Sequence, residues 1–259
     1  MVIPIRRVSV TIYGDTFEWI LHLSMTTQDQ KAKLLAKNVM AIDIETENTG
    51  ADIDLDNKRI LSVQIGNATS VELYYADTKH PAYGLPSARD RIAEMLSNGY
   101  VFTGYYIEHF DVRNMSKFLG ISIPPSKFID LSQTDVIMSL KRSHGLYKLE
   151  EVCSWFSVPV THKLRMNEKT ETHRTRQDIV DLAEREAPKI RAKKGGALDY
   201  AKKDAMKKIT IGNAIFDSYK EFVEKGGSKE TLFYEYATGD VVCEYRLFEV
   251  VKQLQCQKP

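Results

Sequence analysis

The segment VMAIDIET, residues 39–46, is a short apolar run that ends in two acids one residue apart. Its length and apolar character predict a central β-strand. Alternate side chains of a strand share a face, so Asp43 and Glu45 point to one side and Ile42 and Ile44 to the other. The pattern fits a strand end that turns polar in solvent, and it also fits a cation site. Two partly buried carboxylates repel each other unless a positive charge lies between them, which a divalent cation with oxygen ligands provides.

The sequence around this strand predicts an α/β fold with a mixed sheet. Two alternating segments separated by Gly66-Asn67 predict a β-hairpin, which with strand 39–46 makes three consecutive antiparallel strands. Shorter apolar segments and helical spacings then alternate, which is typical of parallel strands joined by helices. The predicted elements are strands at 59–65, 71–75, 100–103 and 128–131, and helices at 87–97, 109–119 and 149–156, with another that ends near residue 140.

The main domain is predicted to span residues 38–259, preceded by an N-terminal extension, residues 1–37, that packs on it. Alternating apolar residues predict a hairpin within the first 24 residues of the extension, and a helix is predicted at 27–37 with Thr26 or Thr27 as its N-cap. The last helix of the main domain is predicted at about 229–254, where apolar residues return at helical spacing.

Residues 161–230 are predicted to form a helical insertion in the main domain. Basic residues crowd its start, and two long helices, 177–194 and 197–225, each end at a Gly-Gly pair. Both helices carry charges of both signs. This pattern fits a solvated insertion, and it also fits a helical clamp whose basic rim holds a phosphate backbone.

The composition points to a globular protein with a sizeable core, since 43% of the residues are hydrophobic. The formal net charge of +1 gives no global attraction to a polyanion, so any phosphate contact must be local. Cys153, Cys243 and Cys256 are far apart in sequence, which argues against a disulfide framework or a zinc cluster. No apolar run is long enough for a signal peptide or a membrane span, so we expect a cytoplasmic protein without a membrane partner.

Two more acids lie on predicted helices. Asp111 is near the start of a helix that follows a predicted strand. Asp240 lies in the middle of the last helix, four residues after Tyr236, so the two side chains share a helix face. Asp is a poor helix former, and its neighbours here are apolar. Asp240 is either a surface residue beside Glu235 and Glu244 or part of a site at the buried edge of the helix.

Three segments in order, DIET (43–46), GYYIEHFD (104–111) and YATGD (236–240), resemble the three motifs of the DEDD 3′–5′ exonucleases. The tyrosine of the third segment matches the DEDDy subclass, and Glu235 replaces the histidine of the other subclass. The resemblance covers about residue 38 to the end and implies a ribonuclease H-like fold. The chain is most similar to the proofreading exonuclease domain of family B DNA polymerases, and then to ribonuclease D-type enzymes.

The resemblance implies a catalytic centre that holds two Mg²⁺ or Mn²⁺ ions, because its donors are all oxygen atoms whereas zinc or copper would favour His or Cys. In the two-ion scheme Asp43 bridges the ions. The Tyr236 hydroxyl orients the attacking water and is not a strong base, since its ordinary pKa is about 10. The four implied metal ligands are Asp43, Glu45, Asp111 and Asp240.

Four residues are candidates for substrate contacts. Thr46 and Phe110 match family positions that border the 3′-terminal nucleotide. Tyr106 replaces the usual asparagine of family B, and a stacking tyrosine suits single-stranded nucleic acid. Lys163 is placed to reach a phosphate. By contrast, His162 is expected in a solvent-facing or turn position.

The expected function is that of a metal-dependent 3′–5′ exonuclease that acts on single-stranded 3′ ends, with DNA favoured over RNA, and releases nucleoside 5′-monophosphates. Little chain follows Asp240, so no polymerase palm is expected, and the exonuclease would act alone or with a replication or repair protein. The oligomeric state stays open. The alternatives are a ribonuclease D-like exoribonuclease and a module of the same fold that binds nucleic acid or a replication protein without cutting.

Overall fold

The computed structural model describes residues 5–12, 15–22, 28–50 and 59–256. The turn of the predicted N-terminal hairpin and the first residue of the predicted helix at 27–37 lie outside the described residues. The strands within the described ranges are β1 Ile5–Ile12, β2 Asp15–His22, β3 Val39–Thr46, β4 Ile60–Gly66, β5 Val71–Tyr75, β6 Val101–Gly104 and β7 Phe128–Asp130.

Five strands form one mixed sheet in the order β5-β4-β3-β6-β7. The strands β3, β4 and β5 are antiparallel neighbours, and β6 and β7 run parallel to β3. The sequence prediction of three antiparallel strands followed by parallel ones is therefore confirmed. The strand that carries Asp43 and Glu45 lies at the centre of the sheet, where both of its edges are paired.

The N-terminal extension forms its own two-stranded sheet. β1 and β2 pair antiparallel along their full length, as the alternation of apolar residues predicts. The hairpin approaches α4 (Asp135–His144) and α9 (Leu232–Cys256) of the main domain. The following helix, α1 (Gln28–Leu34), is shorter than predicted.

Helices cover both faces of the sheet. The others are α2 Leu85–Ser97, α3 Arg113–Leu119, α5 Leu149–Trp155, α6 His162–Arg174, α7 Gln177–Lys194 and α8 Leu198–Glu224. No helix in the described part of the chain is both long enough and apolar enough to cross a bilayer.

The two faces of β3 have different neighbours, as the alternation of the strand requires. Ile42 and Ile44 are buried in a cluster with residues of α2 and α3. The opposite face of the sheet packs against α9, which passes under β3, β4 and β6. Asp43 and Glu45 therefore point toward α9, and the burial of the isoleucines on the other side fixes this orientation.

The insertion contains one helix that the sequence pattern did not predict, α6. Its buried side chains are His162, Met166, Thr170 and His173, which recur at spacings of four, four and three residues. These spacings are helical. Three of the four buried side chains are polar, however, so the spacing of apolar residues does not reveal the helix. The two other helices, α7 and α8, agree with the predicted bounds within one residue.

Gly212 of α8 attaches the insertion to the loop that follows β3. The helix backbone there packs so closely on Asn48 that a Cβ at position 212 would overlap the Asn48 carbonyl oxygen. The next residue, Asn213, donates a hydrogen bond from Nδ2 to the Thr49 carbonyl oxygen at 2.9 Å. The insertion is thereby joined to the chain just beyond Glu45.

We predict that Gly212→Ala lowers the free energy of unfolding by about 1–3 kcal/mol, because the new methyl group meets backbone that cannot move aside. Alanine in place of glycine inside a helix ordinarily stabilises by about 0.5–1 kcal/mol, so the sign of the effect is the test. Urea unfolding followed by circular dichroism measures it. Ile211→Ala, on a half-exposed neighbour of the same helix, is the control with a smaller effect; a stabilised Gly212→Ala variant would contradict the close contact.

Candidate metal centre

Three acids converge at the face where β3 meets α9. Asp43 and Glu45 come from the strand, and Asp240 comes from the middle of the helix, with one carboxylate oxygen of each within 4.8 Å of the others. Glu45 and Asp240 are buried, and Asp43 is partly buried. Asp240 is thus part of this site and not a surface residue. A buried cluster of three carboxylates at this spacing could hold a metal ion.

Asp111 joins the cluster from the other side of Asp43. It lies in a π-helical turn, Glu108–Val112, in which the Val112 N–H donates to the Ile107 carbonyl oxygen five residues earlier at 2.9 Å. The Asp111 carboxylate accepts a hydrogen bond from the Ile44 N–H at 3.1 Å and contacts the Asp43 carboxyl group. Wider turns of this kind occur mainly at functional sites. The four acids predicted from the sequence are therefore brought together, with Asp43 in the middle.

Two cationic side chains of the insertion contact the same oxygen of Asp240. Lys163 Nζ lies 2.8 Å from Asp240 Oδ1, and His162 Nε2 lies 3.1 Å from it. Both cations sit at the N-terminal end of α6, which brings them over the middle of α9. They supply the positive charge that the buried carboxylates require.

The buried position of His162 corrects the expectation that it lies in a solvent-facing or turn position. Its ring fits only because residue 239 is glycine, since a Cβ there would overlap the ring. The sequence carried one signal of this contact: a glycine inside a helix, immediately before an acid, indicates the close approach of another group.

Burial and mutual repulsion shift the titration of the cluster. Burial, together with the charge of Asp240, raises the pKa of Asp43 to about 7. Burial and the neighbouring carboxylates also raise the pKa of Glu45 and that of Asp111 well above their usual range. Burial acts on Asp240 in the same direction, but Lys163 and His162 outweigh it and lower the pKa of that carboxyl. Asp240 is therefore the acid that keeps its charge when no metal is present.

Tyr236 lies one helical turn before Asp240, beside Lys163, whose Nζ is 5.6 Å from the centroid of the tyrosine ring. Burial raises the pKa of the Tyr236 hydroxyl, and the charges of Glu45 and Asp240 raise it further. The hydroxyl is therefore protonated at neutral pH and can donate a hydrogen bond, but it cannot act as a base.

A fifth acid, Glu244, is buried one turn after Asp240 and was not predicted as a site residue. Its Oε1 accepts a hydrogen bond from the Tyr105 N–H at 2.8 Å, and its Oε2 has no hydrogen-bond partner in the described part of the chain. Burial, followed by the charges of Asp43 and Asp111, raises its pKa well above the usual range. Glu244 thereby ties the end of β6 to α9 immediately behind the cluster.

The candidate substrate residues surround this centre unevenly. Thr46 ends β3 at an irregularity in its pairing with β4, directly after Glu45, and Phe110 precedes Asp111 in the π-helical turn. Tyr106 has a left-handed backbone, φ 62°, which is unfavourable for a bulky residue. Its ring is 37% exposed and lies over Lys141, with Nζ 4.7 Å from the ring centroid. The ring is thus a fixed, open surface, as a stacking role requires.

The donor set fits Mg²⁺ or Mn²⁺. The clustered groups are carboxylates, and hard oxygen donors are the ligands that these ions prefer. The nearest histidine, His162, directs its Nε2 to Asp240 and so supports a ligand from outside the cluster. Replacement of the Lys163 charge by a divalent ion would let all four acids ionise together.

We predict that the metal-free protein loses stability as the pH rises from about 4 to 7. The folded protein holds the Asp43 proton up to a pKa of about 7, whereas the unfolded chain releases it near 3.8. Asp43→Asn removes this loss, so the melting temperature of the variant should exceed that of the wild type by more at pH 8 than at pH 5.

Addition of Mn²⁺ completes this test. It should raise the wild-type melting temperature more at pH 8 than at pH 6, because the ionised carboxylates bind the ion better. Differential scanning fluorimetry with EDTA and with Mn²⁺ measures both effects. An equal shift for wild type and Asp43→Asn at saturating Mn²⁺ would exclude a metal site at Asp43.

We further predict that Lys163→Met destabilises the metal-free protein by about 2 kcal/mol and increases its stabilisation by Mn²⁺. The first effect follows because Asp240 loses the ammonium 2.8 Å away, and the second because the ion no longer competes with that ammonium. Lys163→Arg keeps the charge and is the control. A Mn²⁺-induced shift in Lys163→Met no larger than that of the wild type would show that Lys163 does not compete with the ion.

Comparisons of the chain with protein-family models, with curated proteins and with solved structures found no match. The support for the function of the centre therefore lies in its own residues. These are the acids of β3, the π-helical turn and α9, together with the tyrosine and the two cations beside them.

Proposed function

We propose that this protein is a metal-dependent 3′–5′ exonuclease of the DEDDy type on a ribonuclease H-like fold. The observation that carries the proposal is the convergence of four acids from three separate parts of the chain, with Tyr236 one turn from Asp240. In the three motifs that suggested the family, acids of different motifs are at least 66 residues apart in sequence, and the fold brings them together. The mixed five-stranded sheet, with the first acidic pair on its central strand, is compatible with that fold.

The arrangement of the acids supports a role for two ions. Asp43 contacts the Asp111 carboxyl group and also clusters with Glu45 and Asp240. Asp43, Glu45, Asp111 and Asp240 would together hold the ions, and Asp43 is the acid that contacts or neighbours each of the other three. Bound Mg²⁺ or Mn²⁺ supplies a water of lowered pKa and offsets the charge that develops on the scissile phosphate.

The other residues of the site position the reactants. The protonated Tyr236 hydroxyl can donate a hydrogen bond that orients the attacking water beside Asp240. Lys163 lies between Asp240 and the tyrosine ring, where its ammonium can contact a phosphate oxygen once Asp240 has another counter-ion. Thr46 and Phe110 adjoin the acids in sequence and would border the terminal nucleotide. Tyr106 offers an open ring for stacking of a base.

The decisive experiment is an assay with 5′-labelled single-stranded DNA and RNA in Mg²⁺ or Mn²⁺. We predict a ladder of products shortened from the 3′ end, with DNA cut faster than RNA, and release of nucleoside 5′-monophosphates. Asp43→Asn should reduce the rate to background. Tyr236→Phe should reduce it roughly 10- to 100-fold, because the water loses its orienting hydrogen bond while the acids stay in place.

The controls separate the rival functions. A 3′-phosphorylated substrate should resist cleavage, which distinguishes an exonuclease from an endonuclease. Faster cleavage of RNA would favour the ribonuclease D-like alternative. Binding of either strand without cleavage would favour the non-cleaving module, and equal cleavage by Asp43→Asn would reveal a contaminant.

A further inference from the structure

The turn between α7 and α8 carries a strong local positive charge. Residues 189–208, here called the basic tip, contain eight basic residues and two acids. The net charge of the basic tip is +6, whereas that of the whole chain is +1. The remaining residues therefore carry a net charge of −5. The basic tip is therefore an isolated source of attraction for a polyanion. Its basic residues are Lys189, Arg191, Lys193, Lys194, Lys202, Lys203, Lys207 and Lys208.

The basic tip is held on a packed helical hairpin. The two helices bury their own small core, in which alanines allow the backbones to approach closely. Because this core buries most of the apolar side chains of both helices, the side chains that the hairpin exposes to solvent are mainly charged. Among the large hydrophobic residues of α8, Leu198 and Ile211 are partly exposed and Tyr200 is the most exposed, at 67%. Tyr200 lies between Asp199 and the lysines at 202 and 203 in sequence.

Some of these basic residues pair with acids among the described residues, and others do not. Lys189, Lys202 and Lys208 pair with acids of the same hairpin, at 2.8 to 3.5 Å. Arg191, Lys203 and Lys207 are exposed, and none of the three has an acidic group of the described residues within 4 Å. These three side chains are available to contact phosphates.

The position of the hairpin relates the basic tip to the metal centre. α8 is fixed at Gly212 to the loop just beyond Glu45, and it extends from there to Leu198. This length of helix spans about 21 Å at 1.5 Å per residue. Successive phosphates of one strand rise about 3.4 Å along the axis of a duplex, so roughly six stacked nucleotides cover this span and a more extended strand needs fewer.

We infer that the basic tip binds the sugar-phosphate backbone of a nucleic acid, within roughly six nucleotides of the end that lies at the metal centre. The position along the strand rests on the proposed function, whereas the binding of nucleic acid does not. Exposed Tyr200 adds a ring on which a base can stack. An anionic membrane is disfavoured, because membrane-surface helices need an exposed apolar face and this hairpin buries its own.

The test neutralises the three unpaired charges, Arg191→Gln/Lys203→Gln/Lys207→Gln, and measures fluorescence anisotropy of a labelled 20-nucleotide single strand in EDTA. We expect roughly tenfold weaker binding, with the slope of log K against log salt reduced in magnitude by about 2, because each lost contact to a single strand contributes about 0.7. A three-nucleotide oligonucleotide has fewer phosphates to contact these side chains, so it should lose less affinity than the 20-nucleotide strand.

The matched control removes one arginine and two lysines that are exposed elsewhere, Lys79→Gln/Arg89→Gln/Lys229→Gln. An equal loss of affinity in this control, or no loss in the basic-tip variant, would overturn the inference. So would a basic-tip variant that loses binding to phosphatidylserine vesicles but keeps its affinity for the 20-nucleotide strand. The binding measurement needs no cleavage, so its result does not depend on the result of the exonuclease assay. An unchanged Mn²⁺-induced shift in melting temperature would show that the basic-tip variant is folded.

Discussion

Repulsion among carboxyl groups that share one buried volume is the constraint on which this structure depends. Asp43, Glu45 and Asp240 lie within a few ångströms of one another, and Asp111 contacts the first of them. Such groups can stay together in two ways: they keep protons, or a cation compensates them. The raised pKa of Asp43 and the lowered pKa of Asp240 show that both ways operate in the same cluster.

The compensating cations come from the insertion, which gives that region a structural role in the site. His162 and Lys163 lie at the start of α6, and both contact Asp240 of α9. The two helices that follow α6, α7 and α8, connect it to α9. The insertion is fixed a second time by the contact of Gly212 with the loop after β3. The insertion therefore contacts Asp240 through α6 and the loop after β3 through α8. We expect changes in the insertion and in the acidic centre to affect each other.

Much of the fold could be predicted because its signals are local. Alternation set the strands β3, β4 and β5, and the Gly-Gly pairs marked the ends of α7 and α8. The helix α6 was missed because its buried face carries two histidines and a threonine, so the helical period was present without the apolar residues that reveal it. The π-helical turn around Asp111 was missed because it differs from an α-helix in hydrogen bonding and not in composition.

The sequence by itself determined which acids belong to the centre and which face of β3 they share, because strand alternation and motif order are properties of the chain. It did not determine their electrostatic environment. His162, which contacts Asp240, is 78 residues away from it in sequence. Glu244 is buried behind the cluster and does not face solvent. Such neighbours depend on how α6 and α9 pack, and a pKa depends on burial and on charges within a few ångströms. The tertiary structure alone therefore decided which acid keeps its charge, and why a histidine and a lysine lie beside it.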